Sequence, residues 1–269
     1  MKNILFSFSL LAACLFAFSS CKKEKSTNPE PAPGPTYYAL GSAYANGLHA
    51  QLFSDTALQT GYHRLYISLS DSATGAAVNE AQVSVMPLMN MGTMTHAAPF
   101  ENPASTTAVD QYFPAAVVFT MPGSSSQWSV QVTVLKDGVP AVMSFPVNVD
   151  PYSPERVRSF VSAADGASYF VALLQPKKPI VGVNDLELAV YKKQSMMSFP
   201  ADSSLTISNT PEMPSMGHGS PGNIDPVHTG RGHYKGKVNF TMTGLWRLNL
   251  GFTAPEGPAD STTYFEISF

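Results

Sequence analysis

The chain has 269 residues, of which 13% are charged and 44% hydrophobic, with a formal net charge of −3. So weak a charge leaves no electrostatic footprint for nucleic acid or for an anionic lipid surface, and both are set aside as charge-driven partners. The two cysteines, Cys14 and Cys21, both lie in the first 21 residues. Everything beyond them must be held together by its core, without disulfides.

In chain order, Lys2 precedes an apolar run from Ile4 to Phe18 and then Ser19-Ser20-Cys21-Lys22-Lys23. The run is too short for a spanning helix and turns abruptly polar, so residues 1–20 read as a secretory signal cut before Cys21. Small residues before a cysteine resemble a lipobox, which makes Cys21 the expected lipid anchor and the membrane a partner through that lipid. Cys14, after Leu11-Ala12-Ala13, fits by residue type, but cleavage there would leave Leu15 to Phe18 as an apolar stub. Lys22 after the cysteine points to the outer membrane, with the protein facing the periplasm or the cell surface. Residues 21–36 are Lys/Glu-rich and then proline-rich, a polyproline-type tether with no face to bury.

Beyond the tether, short apolar runs alternate with polar residues between Gly, Pro, Ser, Asn and Asp clusters, the signature of half-buried strands. Examples are Leu65 to Leu69, Gln82 to Val85, Trp128 to Val134 and Leu186 to Val190. The expected fold class is all-β.

An internal repeat sharpens this. Val117-Val118-Phe119-Thr120-Met121 returns as Val238-Asn239-Phe240-Thr241-Met242, an offset of 238 − 117 = 121 residues, and the same offset carries Gly61 onto Gly182 and Leu65 onto Leu186. Each copy is followed by one of the two tryptophans, Trp128 and Trp246, read as core anchors beneath the Phe-Thr-Met strand. The reading is a tandem of two β-sandwich domains, 37–150 and 151–269. Their bodies lie at about 50–150 and 176–269. Tyr37 to Phe53 and Ser168 to Leu174 would open them, and Gln175 to Pro179 marks a break.

Each repeat holds a methionine-rich segment, read as a loop. The first runs from Met86 to His96 and contains Met89, Met91, Met94 and His96; the second runs from Pro211 to His218 and contains Met213, Met216 and His218, with His228 and His233 further along. In extended backbone Met89 shares a face with Met91, and Met94 with His96. Soft, neutral thioethers beside imidazoles suit copper, above all Cu(I), whereas zinc and iron sites draw more on cysteine and carboxylate. Met121, Met143, Met196, Met197 and Met242 read as structural, and His49 and His63 as solvated or locally hydrogen-bonded. Methionine also serves adaptable contact surfaces, so an apolar protein-contact patch is the alternative use of the same segments.

The run Met213-Pro214-Ser215-Met216-Gly217-His218-Gly219, then Gly232-His233-Tyr234, then Val238 to Leu248, resembles the YtkA-like (FixH-related) domain. The resemblance is close over about Pro211 to Leu250 and loose in the first repeat, where Thr93-Met94-Thr95 is inserted and Gln111-Tyr112 replaces His233-Tyr234. It implies an immunoglobulin-like sandwich, exported or membrane-tethered, associated with copper handling and respiratory-oxidase assembly. It also implies Met213, Met216 and His218 as ligands with His233 adjacent, and a copper-efflux or oxidase-assembly protein as partner. No nucleophile elbow, zincin helix or phosphate-cradling loop occurs, so a non-enzymatic carrier or sensor is expected.

Overall fold

In the computed structural model, residues 37–269 are described; the expected signal, the expected lipid anchor Cys21 and the expected tether lie outside them. The described residues form one compact unit. The described residues are all β, in two sandwiches.

The first sandwich is built from β1 (Tyr38–Ala45), β2 (Leu48–Ser54), β3 (Gly61–Asp71), β4 (Gln82–Asn90), β5 (Thr95–Ala97), β6 (Phe100–Glu101), β7 (Phe113–Phe119), β8 (Trp128–Lys136) and β9 (Val139–Pro146). The second uses β10 (Val157–Val161), β11 (Ser168–Gln175), β12 (Gly182–Lys193), β13 (Thr206–Met213), β14 (His218–Gly219), β15 (Ile224–Gly230), β16 (His233–Phe240), β17 (Leu245–Ala254), β18 (Gly257–Asp260) and β19 (Tyr264–Ser268).

Strand order repeats element for element. One sheet of each domain runs β1-β2-β3-β7-β6 or β10-β11-β12-β16-β15; the facing sheet runs β5-β4-β8-β9 or β14-β13-β17-β18, with β19 also on β17. Leaving out β1 and β10, this is the immunoglobulin arrangement of an A-B-E-D sheet over a C′-C-F-G sheet. The offset of 121 holds in the register as well: Gly61 pairs with Phe119 and Gly182 with Phe240. The last strand of the second copy is interrupted, since β18 and β19 together occupy the place of β9 along β17.

Alternation explains most strands. In β8 every second residue from Trp128 to Val134 is buried, and the inward sets of the two sheets form one core per domain. β7, β11 and the end of β12 instead have consecutive buried residues. Their outward faces meet a second apolar layer between the domains, in which Ala97 and Val118 pack with Ala172, Leu174, Ala189, Tyr191 and Phe199. A strand covered on both faces loses its alternation, which accounts for the irregular pattern of Ser168 to Leu174.

The structure differs from the sequence reading in three places. Tyr37 to Phe53 is a hairpin, not one strand: Asn46 and Gly47 both take positive φ, 45° and 78°, as a two-residue turn between antiparallel strands requires. Gln175 to Pro179 connects β11 to β12 within the second sandwich. The methionine segments are strand, turn and strand, because the inward series Val83, Val85, Pro87, Met89 continues the core pattern through residues with little β propensity.

Candidate metal centres

In the first domain β4 and β5 form a hairpin in which Met89 stands opposite His96, and the turn closes with Met91 N–H donating to Met94 O at 2.8 Å. Gly92 occupies positive φ there, and the Asn90 side chain accepts its N–H at 2.8 Å. Directly opposed residues, and residues two apart on one strand, share a face. Met89 and His96 therefore share a face of the hairpin, while Met91 and Met94 belong to the turn that joins its two strands. Met89 is buried, Met91 and Met94 are exposed at the tip, and His96 is buried at the rim of the core.

The second domain repeats the device. Met213 stands opposite His218 across β13 and β14, and Met216 and Gly217 donate backbone N–H groups to Met213 O at 3.1 and 3.0 Å. Met213 is buried, His218 half-buried and Met216 exposed on the turn. The sequence reading placed all these methionines in loops; Met89 and Met213 are instead strand residues facing the core, each 3% exposed.

A tryptophan floors each hairpin. Trp128 pairs with Met89 on the other side of β4, and its ring lies edge-on to His96 at 6.2 Å. Trp246 meets His218 at 6.0 Å in the same way. Both indoles are fully buried, and their Nε1–H groups donate to the carbonyls of Met121 (3.1 Å) and Met242 (2.9 Å), 121 residues apart. The end of each Phe-Thr-Met motif thus satisfies the one polar atom of its tryptophan.

The imidazoles are oriented alike. His96 Nδ1 bonds to Ala97 O and His218 Nδ1 to Gly219 O, both at 2.9 Å. A carbonyl can only accept, so Nδ1 carries the proton and the Nε2 lone pair is left for another partner. That is how a metal-binding histidine has its tautomer and ring direction fixed by a second contact. Among the described residues, no group of three or more His, Cys, Asp or Glu side chains is placed to hold a metal ion. A centre here would have to draw on thioethers, which narrows the choice to soft cations.

His233 stands elsewhere. On β16 its Nε2 lies 2.9 Å from Glu101 of the first domain and its Nδ1 3.0 Å from Glu187 of β12. With a carboxylate on each nitrogen it has no lone pair to offer. The hydrogen bond to Glu101 raises its pKa most, against the effect of burial, and Glu187 adds to the rise. Burial pushes Glu101 up, but the bonds from His233 and Tyr191 outweigh it and hold the carboxyl below its ordinary value. Tyr191 Oη donates to Glu101 at 2.7 Å, and Arg231 donates to Asn102 O at 2.7 Å. These residues join the domains. His228 Nε2 accepts from Gly232 N at 3.2 Å within the β15–β16 turn.

Among the other histidines, His49 stacks on Tyr44 with ring centroids 4.3 Å apart, and His63 is buried 3.8 Å from Asp55. Burial would raise the Asp55 carboxyl, but His63 and Lys177 bring it down to about 2. Of the methionines read as structural, Met143 is in the core, whereas Met196 and Met197 are exposed on a turn of the second domain.

Fold and site together define a tandem of two immunoglobulin-like sandwiches, each with a Met/His hairpin over a buried tryptophan. Residues 164–251 match the YtkA-like family. The match runs from the β10–β11 turn into β17 and so takes in the hairpin, whereas the sequence resemblance began at Pro211. No curated protein matches the chain. Among solved structures, domains 5-6 of the S-layer protein SbsC align over 87% of this chain and 98% of theirs, at 12% identity and a TM-score of 0.28; the fold described above rests on strand order, not on that loose superposition.

Proposed function

We propose that the protein binds copper, as Cu(I), through its two Met/His hairpins and acts as a carrier or sensor at the cell envelope, held to a membrane by lipid on Cys21. The observation that carries this reading is the repeated pairing of methionine with an imidazole whose Nδ1 is bonded to backbone, Met89 with His96 and Met213 with His218. Neutral thioethers and one imidazole form a set that suits Cu(I) and holds no thiolate that oxidation would consume. The exposed tips at Met91, Met94 and Met216 allow a metal to be handed on. A copper-efflux or oxidase-assembly protein is the recipient this reading proposes, in keeping with the YtkA-like match.

The test uses the protein with Cys21→Ser, which prevents lipidation, titrated with Cu(I) against a chromogenic chelator. Met213→Leu/Met216→Leu/His218→Ala is expected to lose part of the copper uptake. Equal, weak uptake by both proteins would remove the second hairpin as a site and favour the contact-patch reading, in which a protein partner covers the methionines.

A further inference from the structure

The two hairpins differ in what lies against them. In the first domain β3 is followed by residues 72–81, a connection without methionine. Its counterpart after β12 carries Met196-Met197 in a tight turn, where Gln194 N and Ser195 N both donate to Ser198 O, at 3.0 and 3.3 Å. That turn leans on the other domain. Met196 O accepts the N–H of Ala97 at 2.8 Å, on the free edge of β5 and one residue from His96.

Phe199 fixes the arrangement. It is buried with Ala97 in the apolar layer between the domains and lies edge-on to Phe170 at 5.5 Å. Yet Met196 and Met197 remain 40% and 42% exposed, on a turn bonded to the far end of the strand that leads from Met91 and Met94, themselves 53% and 48% exposed. Side chains that keep about two-fifths of their surface in water belong to no core, so core packing alone does not account for them. Among the described residues the other exposed methionines are Met216, on the turn of the second hairpin, and Met242, whose carbonyl accepts from Trp246.

We propose that Met196 and Met197 belong to the first domain's metal site, which therefore spans both domains: a soft-cation site, of the Cu(I) class, assembled from His96 Nε2 and thioethers on two adjoining turns. The proposal rests on the copper reading of the hairpins. It gives the two sites different characters. The second hairpin is served by its own domain, whereas the first is completed by its neighbour, so its metal would also tie the domains together and be released less readily.

The test isolates the first site with Met213→Leu/Met216→Leu/His218→Ala and then adds Met196→Leu/Met197→Leu. Leucine keeps volume on an exposed turn, and unchanged thermal unfolding of the metal-free protein would establish that the Ala97 contact survives. Cu(I) affinity by chelator competition is expected to fall by at least about tenfold, a loss that even outer-sphere partners typically cause, and X-ray absorption should report fewer sulfur ligands on copper. Unchanged affinity and sulfur count, with binding lost instead on Met91→Leu/Met94→Leu, would overturn the composite site and leave the hairpin reading standing. If the isolating triple variant retains no copper although the parent protein binds it, the first hairpin is no site, the composite site falls, and the copper reading narrows to the second hairpin. If the parent protein binds none, both fall.

Discussion

Met213 stands directly opposite His218 across the β13–β14 ladder, one register step beyond the Glu212–Arg247 pair that leads to Trp246. The same relation joins Met89, His96 and Trp128 in the first domain. Duplication has preserved a pairing that core packing alone would not require, because a buried hydrophobe in place of either histidine would fill the rim equally well.

The tryptophans hold this geometry. Trp246→Ala should cost about 3–5 kcal/mol, since it empties the largest side chain of the second core. Trp246→Phe should cost less, chiefly the Nε1–H bond to Met242 O at 2.9 Å, worth about 1 kcal/mol. Urea unfolding of the two variants checks the difference.

His233 is expected to act on stability and not on copper. His233→Gln leaves Glu101 and Glu187 facing each other without the ring between them and should destabilise by about 1–3 kcal/mol. Cu(I) uptake should not change. A loss of copper affinity without a loss of stability would return His233 to the ligand set.

The same cluster gives the pH dependence a sign. The His233 pKa is raised on folding, so its contribution is complete below the ordinary 6.5 and is lost as pH rises through the folded value. The Glu101 pKa is lowered from 4.5, so its contribution is present above that and is lost as pH falls through the folded value. Stability should decline on both flanks. His233→Gln should flatten the alkaline decline, read from urea midpoints across the pH range.

Gly236 tests the closeness of β15. Leu65 pairs with Ala115 and Leu186 with Gly236, so the glycine occupies the place of an alanine in the first repeat. A Cβ there would lie 2.3 Å from Ile224 O, and Gly236→Ala should cost about 1–3 kcal/mol through forced backbone movement. An unchanged urea midpoint would show that β15 yields without penalty.

The fold class and the duplication were legible because both rest on periodic patterns: alternation in Trp128 to Val134, and an offset that carries Phe-Thr-Met onto itself. The hairpins were half legible. Their residues stood out by chemistry, but Pro87, Met89 and Asn90 hide a strand from any reading based on β propensity, although the inward period of two runs through them. Asn46-Gly47 is a two-residue hairpin signal by residue type alone. The family resemblance sets His233 beside His218, whereas β16 and β14 lie in different sheets and the partner of His233, Glu101, is 132 residues away. The docking of Met196 on Ala97 is likewise a contact between domains. No local pattern announces it.

Each Met/His hairpin is proposed to be a soft-metal site. The direct measurement is the number of Cu(I) ions retained per chain against a competing chelator, in the Cys21→Ser protein and in variants with one or both hairpins disabled by Met→Leu and His→Ala changes. About two ions per chain are expected, about one after either hairpin is disabled, and none after both, as independent thioether–imidazole sites require. Copper retention that is the same in all four proteins, or absent from all of them, would contradict it.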